Sequence, residues 1–363
     1  MQINDYFKTI EDPRIDRHKL HSLDTIFSLT VVAVICGIKS WEQIEFFGKL
    51  RQKELSAIID FSNGVPSHDT IERVYSMINP AAFHACFITW TQALQHCKND
   101  LIAIDGKVAR KSYDTYTNKE ALYLVNAWAC KNKLVLGQFK TAGKGHELAG
   151  IKNLIEILDI KGSIVSTDAL GCQTEIASMI IDKGADYILA VKDNQEHLRK
   201  DITSSFAVLK SKDTFEQTEK NSGRIESRRC SIITNLKMIE TKEQWKEIKS
   251  IIQIESKRTI AGQEQEQTRY YISSLNKSAE EMNTLIRSHW NVENNLHWIL
   301  DVNFDEDKSR KRKGYTAENF ALTNKIVINL LNKEQSSKLS MTHKKLRANY
   351  DLEYLKLLFK FNA

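Results

Sequence analysis

Between residues 101 and 191, short apolar runs alternate with amphipathic stretches, and two of the apolar runs end in an aspartate. Leu101–Ile104 leads directly into Asp105, and the run 163–167 leads into Asp168. Apolar runs of this length between helical patterns are typical of the buried strands of an α/β sheet. Because functional side chains of open α/β sheets gather at strand carboxyl ends, we expect both aspartates at one edge of the sheet.

The order of predicted elements in this region is βββαβαβα. Strands are expected at 101–104, 121–129, 133–140, 163–167 and 187–191, with helices at 147–158, at 173–183 and from 194 onward. Three antiparallel strands followed by parallel crossover units fit a ribonuclease H-like sheet. We therefore predict an α/β fold with a ribonuclease H-like mixed-sheet catalytic core.

A third acidic residue follows on a predicted helix. Glu293 lies in the helical stretch 279–300, 125 residues after Asp168, which itself comes 63 residues after Asp105. Two carboxylates at strand ends and a third on a later helix can converge on two divalent cations, roughly 3.5–4 Å apart, that assist a phosphoryl displacement. Carboxylate donors without a Cys/His set suit Mg²⁺, so we expect two Mg²⁺ ions with Mn²⁺ as a substitute.

Each of these acids has a simpler interpretation when it is taken alone. Asp105-Gly106 between strand-like runs is a common turn sequence, and Asp168 could cap a helix that follows a strand. Glu293 could be a solvated helix residue. The order and spacing of the three acids, rather than any one of them, favour a shared site.

Two alternatives concern the metal and the third acid. His289 and His297 flank Glu293 at intervals of four, a spacing that could hold Zn²⁺, although a His-Glu-x-x-His pattern is missing. We expect these histidines to contact DNA phosphate or to pack beside the neighbouring tryptophans instead. Glu306 or Asp307 could also replace Glu293 as the third acid.

Cationic and amide side chains lie near the predicted acidic site in the sequence. Lys107 and Arg110 follow the first aspartate, and Lys192, Asn194 and Gln195 follow the last core strand. Such side chains would orient a scissile phosphate, although surface loop charge is the simpler interpretation of any one of them.

Positive charge is concentrated towards the C-terminal end of the sequence. Residues 308–363 hold 13 Lys/Arg against four Asp/Glu, a net of +9 in a chain whose total is +6, so the rest carries −3. The densest run is Arg310-Lys311-Arg312-Lys313. Attraction to DNA phosphates would explain this distribution, and a solvated tail is the alternative.

The sequence around the predicted acidic site divides into regions that differ in predicted secondary structure. Residues 1–99 predict short helices, either a plain bundle or one that includes a helix-turn-helix beginning at Ser67. The predicted domains are an N-terminal helical DNA-binding domain at 1–99, the catalytic core at 100–206 and 277–332, a β-rich insertion at 207–276 before the last catalytic helix, and a basic C-terminal tail at 333–363.

The cysteines and the hydropathy pattern bear on the compartment. Six scattered cysteines without a Cys-x-x-Cys pair indicate reduced thiols, and the apolar stretch 26–38 is about a third too short to span a bilayer. We therefore expect a cytoplasmic protein, associated with the bacterial nucleoid, that has no leader peptide.

With these residues in view, the chain resembles the H-repeat-associated (ISAs-type) family of bacterial DDE insertion-sequence transposases. The similarity runs nearly end to end. It is carried by DPR at 12–14, ICG at 35–37, SWEQIE at 40–45, NGVPSHDT at 63–70, IDGK at 104–107, TDALGCQ at 167–173, VKDNQ at 191–195 and HWNVENNLHW at 289–298.

This resemblance implies that Asp105, Asp168 and Glu293 are the catalytic triad, that the fold is ribonuclease H-like and that the N-terminal helices help to bind element ends. The sequence departs from the family pattern at Asp193, where Gly is usual, and at 144–147, where KGHE replaces KSNE. Relative to the broader DDE signature, His289 and Leu300 stand where Arg and Lys are usual.

The resulting hypothesis is a transposase that cuts DNA at the terminal inverted repeats of its own element and joins the ends to target DNA. Because two ends must be joined, we expect a homodimer or a higher assembly on DNA. A host DNA nuclease of the same fold and a catalytically inactive, DNA-binding remnant of a transposase are the alternatives.

Overall fold

The computed structural model of the protein describes residues 3–15, 19–94, 98–113, 116, 120–143, 145–221, 224–260 and 263–359. Its N-terminal region is helical, as predicted. The helices are α1 (Ile3–Phe7), α2 (Leu23–Ile35), α3 (Trp41–Leu50), α4 (Gln52–Leu55), α5 (His68–Met77) and α6 (Pro80–Leu94).

Side-chain caps fix where these helices begin. Ser22 accepts a hydrogen bond from the backbone of Thr25 at the start of α2, and Ser67 starts α5 in the same way. Ser40 and Gln43 form a reciprocal capping box before α3. Because a cap is a local signal, each of these starting points is readable from the sequence.

A mixed sheet follows, and the strands of its first half match the predicted positions to within one residue, except that β1 continues beyond its predicted end at Ile104 to Ala109. In chain order, the strands and helices of this half are β1 (Leu101–Ala109), β2 (Leu122–Ala129), β3 (Leu134–Thr141), α7 (Glu147–Ile157), β4 (Ile164–Thr167), α8 (Thr174–Asp182), β5 (Asp186–Val191) and α9 (Glu196–Val208).

The connectivity of this half is the one that the element order predicts. β1, β2 and β3 pair antiparallel, whereas β4 pairs parallel with β1 and β5 pairs parallel with β4. Three antiparallel strands joined to parallel crossover units make a ribonuclease H-like core, so the predicted α/β fold class is confirmed.

The region 207–276 continues the same sheet. Its strands are β6 (Asp213–Asn221), β7 (Arg224–Ile233), β8 (Ser250–Ile260) and β9 (Gln263–Ser273), and the strand order among the described residues is β3-β2-β1-β4-β5-β9-β8-β7-β6. The sequence patterns predict only three strands here, at 224–234, 248–257 and 268–274. β6, with the sequence DTFEQTEKN, escapes prediction because it is an edge strand with a single apolar side chain, Phe215, on its half-buried face.

Helices resume after the sheet and cover it. They are α10 (Ala279–His289), a π-helical turn (Val292–His297), α11 (Trp298–Phe304), α12 (Thr316–Lys333), α13 (Met341–Tyr350) and α14 (Leu352–Phe359). α12 contacts α2, α5, α6 and β3, and is buried along most of its length. α13 and α14 pack on α2 and α12, so the described part of the predicted C-terminal tail is folded against the rest of the chain.

One apolar core extends from the N-terminal helices through the sheet to α14. The predicted domain boundaries therefore do not coincide with separate cores, and they stay predictions. The described cysteines are free and mostly buried, and Cys97 lies outside the described residues. Among the helices that the structure describes, none has the length and apolarity needed to cross a membrane.

Candidate active site

Asp105 and Asp168 each come directly after a pair of residues, Ile104 and Thr167, that lie side by side in adjacent parallel strands. β1 and β4 pair in register up to Ile104 and Thr167, and the two aspartates are the next residues of the chain. β1 continues through Asp105 to Ala109, with Asp105 opposite Asn126 of β2. Asp105-Gly106 is therefore part of a strand, and the turn interpretation of this pair is wrong.

Asp168 leaves its strand and starts a short turn. Its Oδ1 accepts a hydrogen bond from the backbone N–H of Leu170 at 3.1 Å and so caps the 3₁₀ turn Ala169–Gly171. The same residue lines a cavity together with Asp105. The Asp168 carboxylate thus both caps the turn and belongs to the acidic site.

Glu293 lies in the π-helical turn between α10 and α11. Helical periodicity predicts one uninterrupted helix over 279–300, because a single wide turn barely changes the apolar pattern. Such turns are rare in proteins overall, but those that occur are often at functional sites, since the wider turn redirects the side chains that it carries. Here Glu293 faces the same cavity as the two aspartates.

The cavity that holds the three acids has a volume of about 380 Å³. Its walls come from β1, β4, β5, β9, α10 and the π-helical turn, so the β-rich insertion contributes to it as well as the core. Besides the acids, the side chains that line it include Ser166, Lys192, Arg269, His289 and Trp290, together with Arg199 of α9.

Negative charge in the cavity is crowded and poorly solvated. Burial raises the pKa of the Asp105 carboxyl to about 7, and the nearby carboxylates of Asp168, Glu293 and Glu147 add to the rise. Burial also raises the pKa of Asp168 and of Glu293. Among the described residues, no Lys or Arg lies within ion-pair distance of any of the three acids. Lys192 near Asp168 and Arg269 near Glu293 act from further away, and their lowering of these two pKa values is outweighed by burial.

A fourth carboxylate stands beside this group. Glu147, the first residue of α7, accepts a hydrogen bond from the Tyr123 hydroxyl, and its Oε2 is buried without a partner. The Tyr123 side chain crosses over Gly106, where an added Cβ would lie 2.4 Å from the Tyr123 hydroxyl oxygen. Glu147 agrees with the family pattern KSNE, from which KGHE departs only at 145 and 146, but nothing in the residue types points to its proximity to the acids. Lys144 of this stretch lies outside the described residues.

His289 and His297 turn to different partners. His289 Nδ1 lies 2.9 Å from the Ser166 hydroxyl, and His297 Nδ1 lies 3.7 Å from an Asp105 carboxylate oxygen. Burial lowers the pKa of His289 to about 4 and that of His297 to about 3, so both imidazoles are uncharged at neutral pH. The predicted contact of these histidines with DNA stays a prediction.

Lys107 is held inside the protein. Its ammonium lies 2.6 Å from Asp301 and 3.5 Å from Asp307, whose carboxylate also faces the guanidinium of Arg110. Glu306 is buried within electrostatic range of Lys325. Glu306 and Asp307, the alternative third acids, therefore lie outside the cavity lining and have cationic neighbours of their own.

The segment after β5 contributes one exposed cation and two structural amides. Lys192 lines the cavity and is exposed. The Asn194 amide donates to the Ala169 carbonyl at 2.7 Å, and the Gln195 amide donates to the Cys172 carbonyl at 2.9 Å. These two bonds attach the segment to the turn that follows Asp168.

The basic run 310–313 is split between the surface and the interior. Lys311 donates to the Lys39 carbonyl, and its ammonium lies 3.9 Å from the ring centroid of Phe320 and 4.9 Å from that of Trp41. Arg312 lies over the Tyr113 ring. The side chains that remain exposed are those of Arg310 and Lys313.

A ribonuclease H-like sheet that carries one aspartate within β1, a second directly after the adjacent strand β4 and a glutamate on a later helix defines the DDE class of DNA-processing enzymes. Family comparison agrees with this geometry. Residues 95–330 match the family described as "Transposase DDE domain", and residues 4–91 match the family described as "DDE_Tnp_1-associated". The chain therefore belongs to the DDE transposase family, in its H-repeat-associated branch, and is an insertion-sequence transposase.

Curated relatives cover nearly the whole chain. The Escherichia coli K12 protein named "H repeat-associated putative transposase YhhI" is 39% identical, over 98% of this chain and 96% of its own length. YbfL of the same strain is 41% identical, over 92% of this chain and 91% of its own length. YbfQ, named as an inactive transposase, is 49% identical over 57 residues, 16% of this chain and 68% of its own length.

Among solved structures, a piggyBac transposase synaptic complex with hairpin DNA superposes with a TM-score of 0.43 and 10% sequence identity. The superposition covers 98% of this chain and 77% of that chain. A TM-score of this size does not establish a common fold. The fold assignment depends on the strand order and on the family match.

Proposed function

We propose that this transposase hydrolyses phosphodiester bonds at the ends of its own element and joins the freed 3′-hydroxyls to target DNA, with Asp105, Asp168 and Glu293 as catalytic metal ligands. The observation that carries the proposal is the register of β1 and β4, which sets Asp105 beside Asp168 at the wall that Glu293 also faces. Adjacent carboxylates around one cavity are the donor arrangement that two-metal phosphoryl transfer needs.

The donors fit a divalent cation on chemical grounds. Members of this family generally use divalent metals. Among the described residues, no three His, Cys, Asp or Glu side chains are already close enough to hold one ion together. Mg²⁺ needs only one or two protein carboxylates, since water and substrate phosphates complete its shell. The crowded charge of the cavity is what such a cation would offset.

Bound Mg²⁺, or Mn²⁺ in its place, would supply the activation of the attacking oxygen and the stabilisation of the leaving oxygen. The protein's own contribution is position. β1 and β4 hold the two aspartates, the π-helical turn aims Glu293, and His297 packs against Asp105 as an uncharged neighbour. Burial of Asp105 would strengthen its attraction for such a cation.

DNA would reach the acids across exposed cations on two sides. Lys192 lies on the cavity wall, and Arg110, Arg310 and Lys313 are exposed on the loops after β1 and before α12. Such residues position a duplex through its phosphates without reading its sequence. Joining two ends in one event calls for a dimer or a larger assembly on DNA.

The test is cleavage of a duplex copied from the DNA that borders the gene. It compares the wild-type protein with Asp105→Asn and with the surface control Asp182→Asn, in Mg²⁺, in Mn²⁺ and in EDTA. Metal-dependent cuts at the element boundary, lost only in Asp105→Asn, are expected. Cuts scattered without regard to the boundary would favour a host nuclease. Binding of the ends without any cleavage would favour an inactive copy.

A further inference from the structure

Three arginines that the sequence motifs do not single out converge beside the acidic cavity. Arg228 comes from β7, Arg269 from β9 and Arg287 from α10, and the guanidinium groups of Arg269 and Arg287 both lie within electrostatic range of Arg228. Alternation along the paired strands places Arg228 and Arg269 on one face of the β-rich insertion, towards α10. None of the three is near another in sequence, so only the folded sheet brings them together.

Arg228 is the most deeply placed of the three. It is 6% exposed, and its Nε has no hydrogen-bond partner. The nearest carboxylate oxygen of Glu226 is 3.9 Å from that nitrogen, and the same oxygen is 3.3 Å from Arg258. Burial lowers the pKa of Arg228, attraction to Glu226 offsets part of this, and repulsion from Arg287 and Arg269 lowers the pKa again. A buried cation with so little counter-charge is costly unless an anion joins it.

Arg269 carries this positive charge to the cavity. Its guanidinium lies over the Trp290 ring, 4.7 Å from the centroid, and donates to Gln267 Oε1 at 2.9 Å. Within the described residues it makes no ion pair with a carboxylate, and both Arg269 and Gln267 line the cavity wall. Arg287, by contrast, is paired with Glu219. The Trp290 ring supports the Arg269 guanidinium, and Gln267 and Tyr271 occupy only some of its N–H donors.

The cavity wall therefore carries both the three acids and, from the insertion, the guanidinium of Arg269, which acts on Glu293 from beyond ion-pair distance. A DNA strand whose scissile phosphate lies at the carboxylates carries further phosphates along its backbone. We propose that Arg269, supported by Arg228 and Arg287, binds a backbone phosphate that flanks the scissile one. A planar guanidinium with parallel N–H donors suits two phosphate oxygens. This inference rests on the proposed function.

The experiment uses a duplex copied from the DNA that borders the gene, with single methylphosphonates that neutralise one phosphate at a time. For the wild type, neutralising one flanking phosphate is expected to weaken binding about tenfold, the loss of roughly one charge-assisted hydrogen-bonded contact. In Arg269→Gln that penalty should fall to about twofold or less, while the penalties at other phosphates persist. The dependence of log affinity on log salt should become shallower by about 0.9.

The matched control is Lys257→Gln. Lys257 lies on β8 of the same insertion, alternates to the opposite face and pairs with Glu264 and Glu266. It should retain the wild-type penalty at every phosphate. A second variant, Arg269→Lys, keeps the charge but loses the planar donor pair, and should keep the salt dependence while losing most of the position-specific penalty.

Two results would overturn the inference. In the first, Arg269→Gln shows the wild-type penalty for neutralising each phosphate. In the second, the penalties in Arg269→Gln are reduced equally at all phosphates. Thermal unfolding of each variant shows whether an equal reduction at all phosphates comes from misfolding. If Arg269→Gln is misfolded, Arg287→Gln, on the partly exposed α10 side, is tested in its place. If the wild type neither binds nor cuts the element ends selectively, the proposed function itself fails. The two failures are therefore distinguishable.

Discussion

The ammonium nitrogen of Lys107 lies 2.6 Å from a carboxylate oxygen of Asp301, which ties the strand of the first aspartate to the helix that continues from the third acid. Lys107 is two residues beyond Asp105 on β1, and Asp301 is on α11, directly after the π-helical turn of Glu293. The Lys107 side chain is 8% exposed and that of Asp301 is 36% exposed. The ion pair therefore positions two parts of the candidate active site relative to one another, although the motif alone suggests a contact with DNA.

Lys107→Met is expected to lower the free energy of unfolding by about 2 kcal/mol, between the values typical of exposed and of buried pairs. It should also slow cleavage about tenfold or more, because a small displacement of Glu293 spoils the alignment of the acids. Lys107→Arg should recover much of both. Urea unfolding and the boundary-cleavage rate measure the two effects. Lys140→Met, at an exposed pair with Glu318, is the control and should leave both unchanged.

Asp105→Asn is expected to abolish cleavage and yet to stabilise the metal-free protein by about 1 kcal/mol, since it removes one of several crowded, desolvated carboxylates. In EDTA the variant should therefore melt at a higher temperature than the wild type. Added Mg²⁺ should raise the melting temperature of the wild type and have less effect on the variant. An equal response of both proteins to Mg²⁺, measured beside the exposed control Glu156→Gln, would contradict the assignment of Asp105 as a metal ligand.

Much of the fold is readable from local signals in the sequence. Ser22, Ser40 and Ser67 announce helix starts because a cap needs only its own first turn. The apolar strand segments that precede Asp105 and Asp168 are readable because buried parallel strands are continuous apolar runs. The family model and the relatives confirm the class of protein that these signals and motifs indicate.

Other features depend on partners distant in the chain, and no local pattern announces them. The π-helical turn of Glu293 keeps an ordinary helical pattern, and β6 has a single apolar side chain. Lys311 belongs to a run that predicts a DNA-binding or solvated segment, but the rings of Trp41 and Phe320 enclose it. The approach of Arg228 and Arg269 exists only through the register of three strands.

The basic run gives a direct comparison of buried and exposed cations. Lys311→Met should leave the salt dependence of DNA binding unchanged, because the wild-type ammonium faces the two rings and the Lys39 carbonyl instead of solvent. Lys313→Met, at an exposed position, should make the dependence of log affinity on log salt shallower by about 0.9. Fluorescence anisotropy with one duplex at several salt concentrations measures both. A shallower dependence for Lys311→Met would contradict this expectation and would indicate that Lys311 contacts DNA.

Glu334 anchors α12 to the C-terminal helices and makes part of the stability depend on acid pH. Its side chain is 1% exposed and lies 3.2 Å from the Lys344 ammonium and 2.8 Å from the Tyr354 hydroxyl. Burial alone would raise the pKa of Glu334, but hydrogen bonds from Ser336, Tyr354 and Lys344 outweigh it and lower the pKa to about 2.

Because the pKa of Glu334 is lower in the folded protein than the ordinary value of 4.5, its stabilisation is fully present above about pH 4.5. It is lost as the pH falls from there towards 2. Glu334→Gln should therefore cost about 3 kcal/mol at pH 7, where it breaks a buried pair, and progressively less towards pH 2. Urea unfolding of both proteins at pH 7, 4 and 3 measures this difference. A constant difference across that range would contradict the expectation, and Glu353→Gln, at an exposed pair with Lys356, should cost little at any of the three pH values.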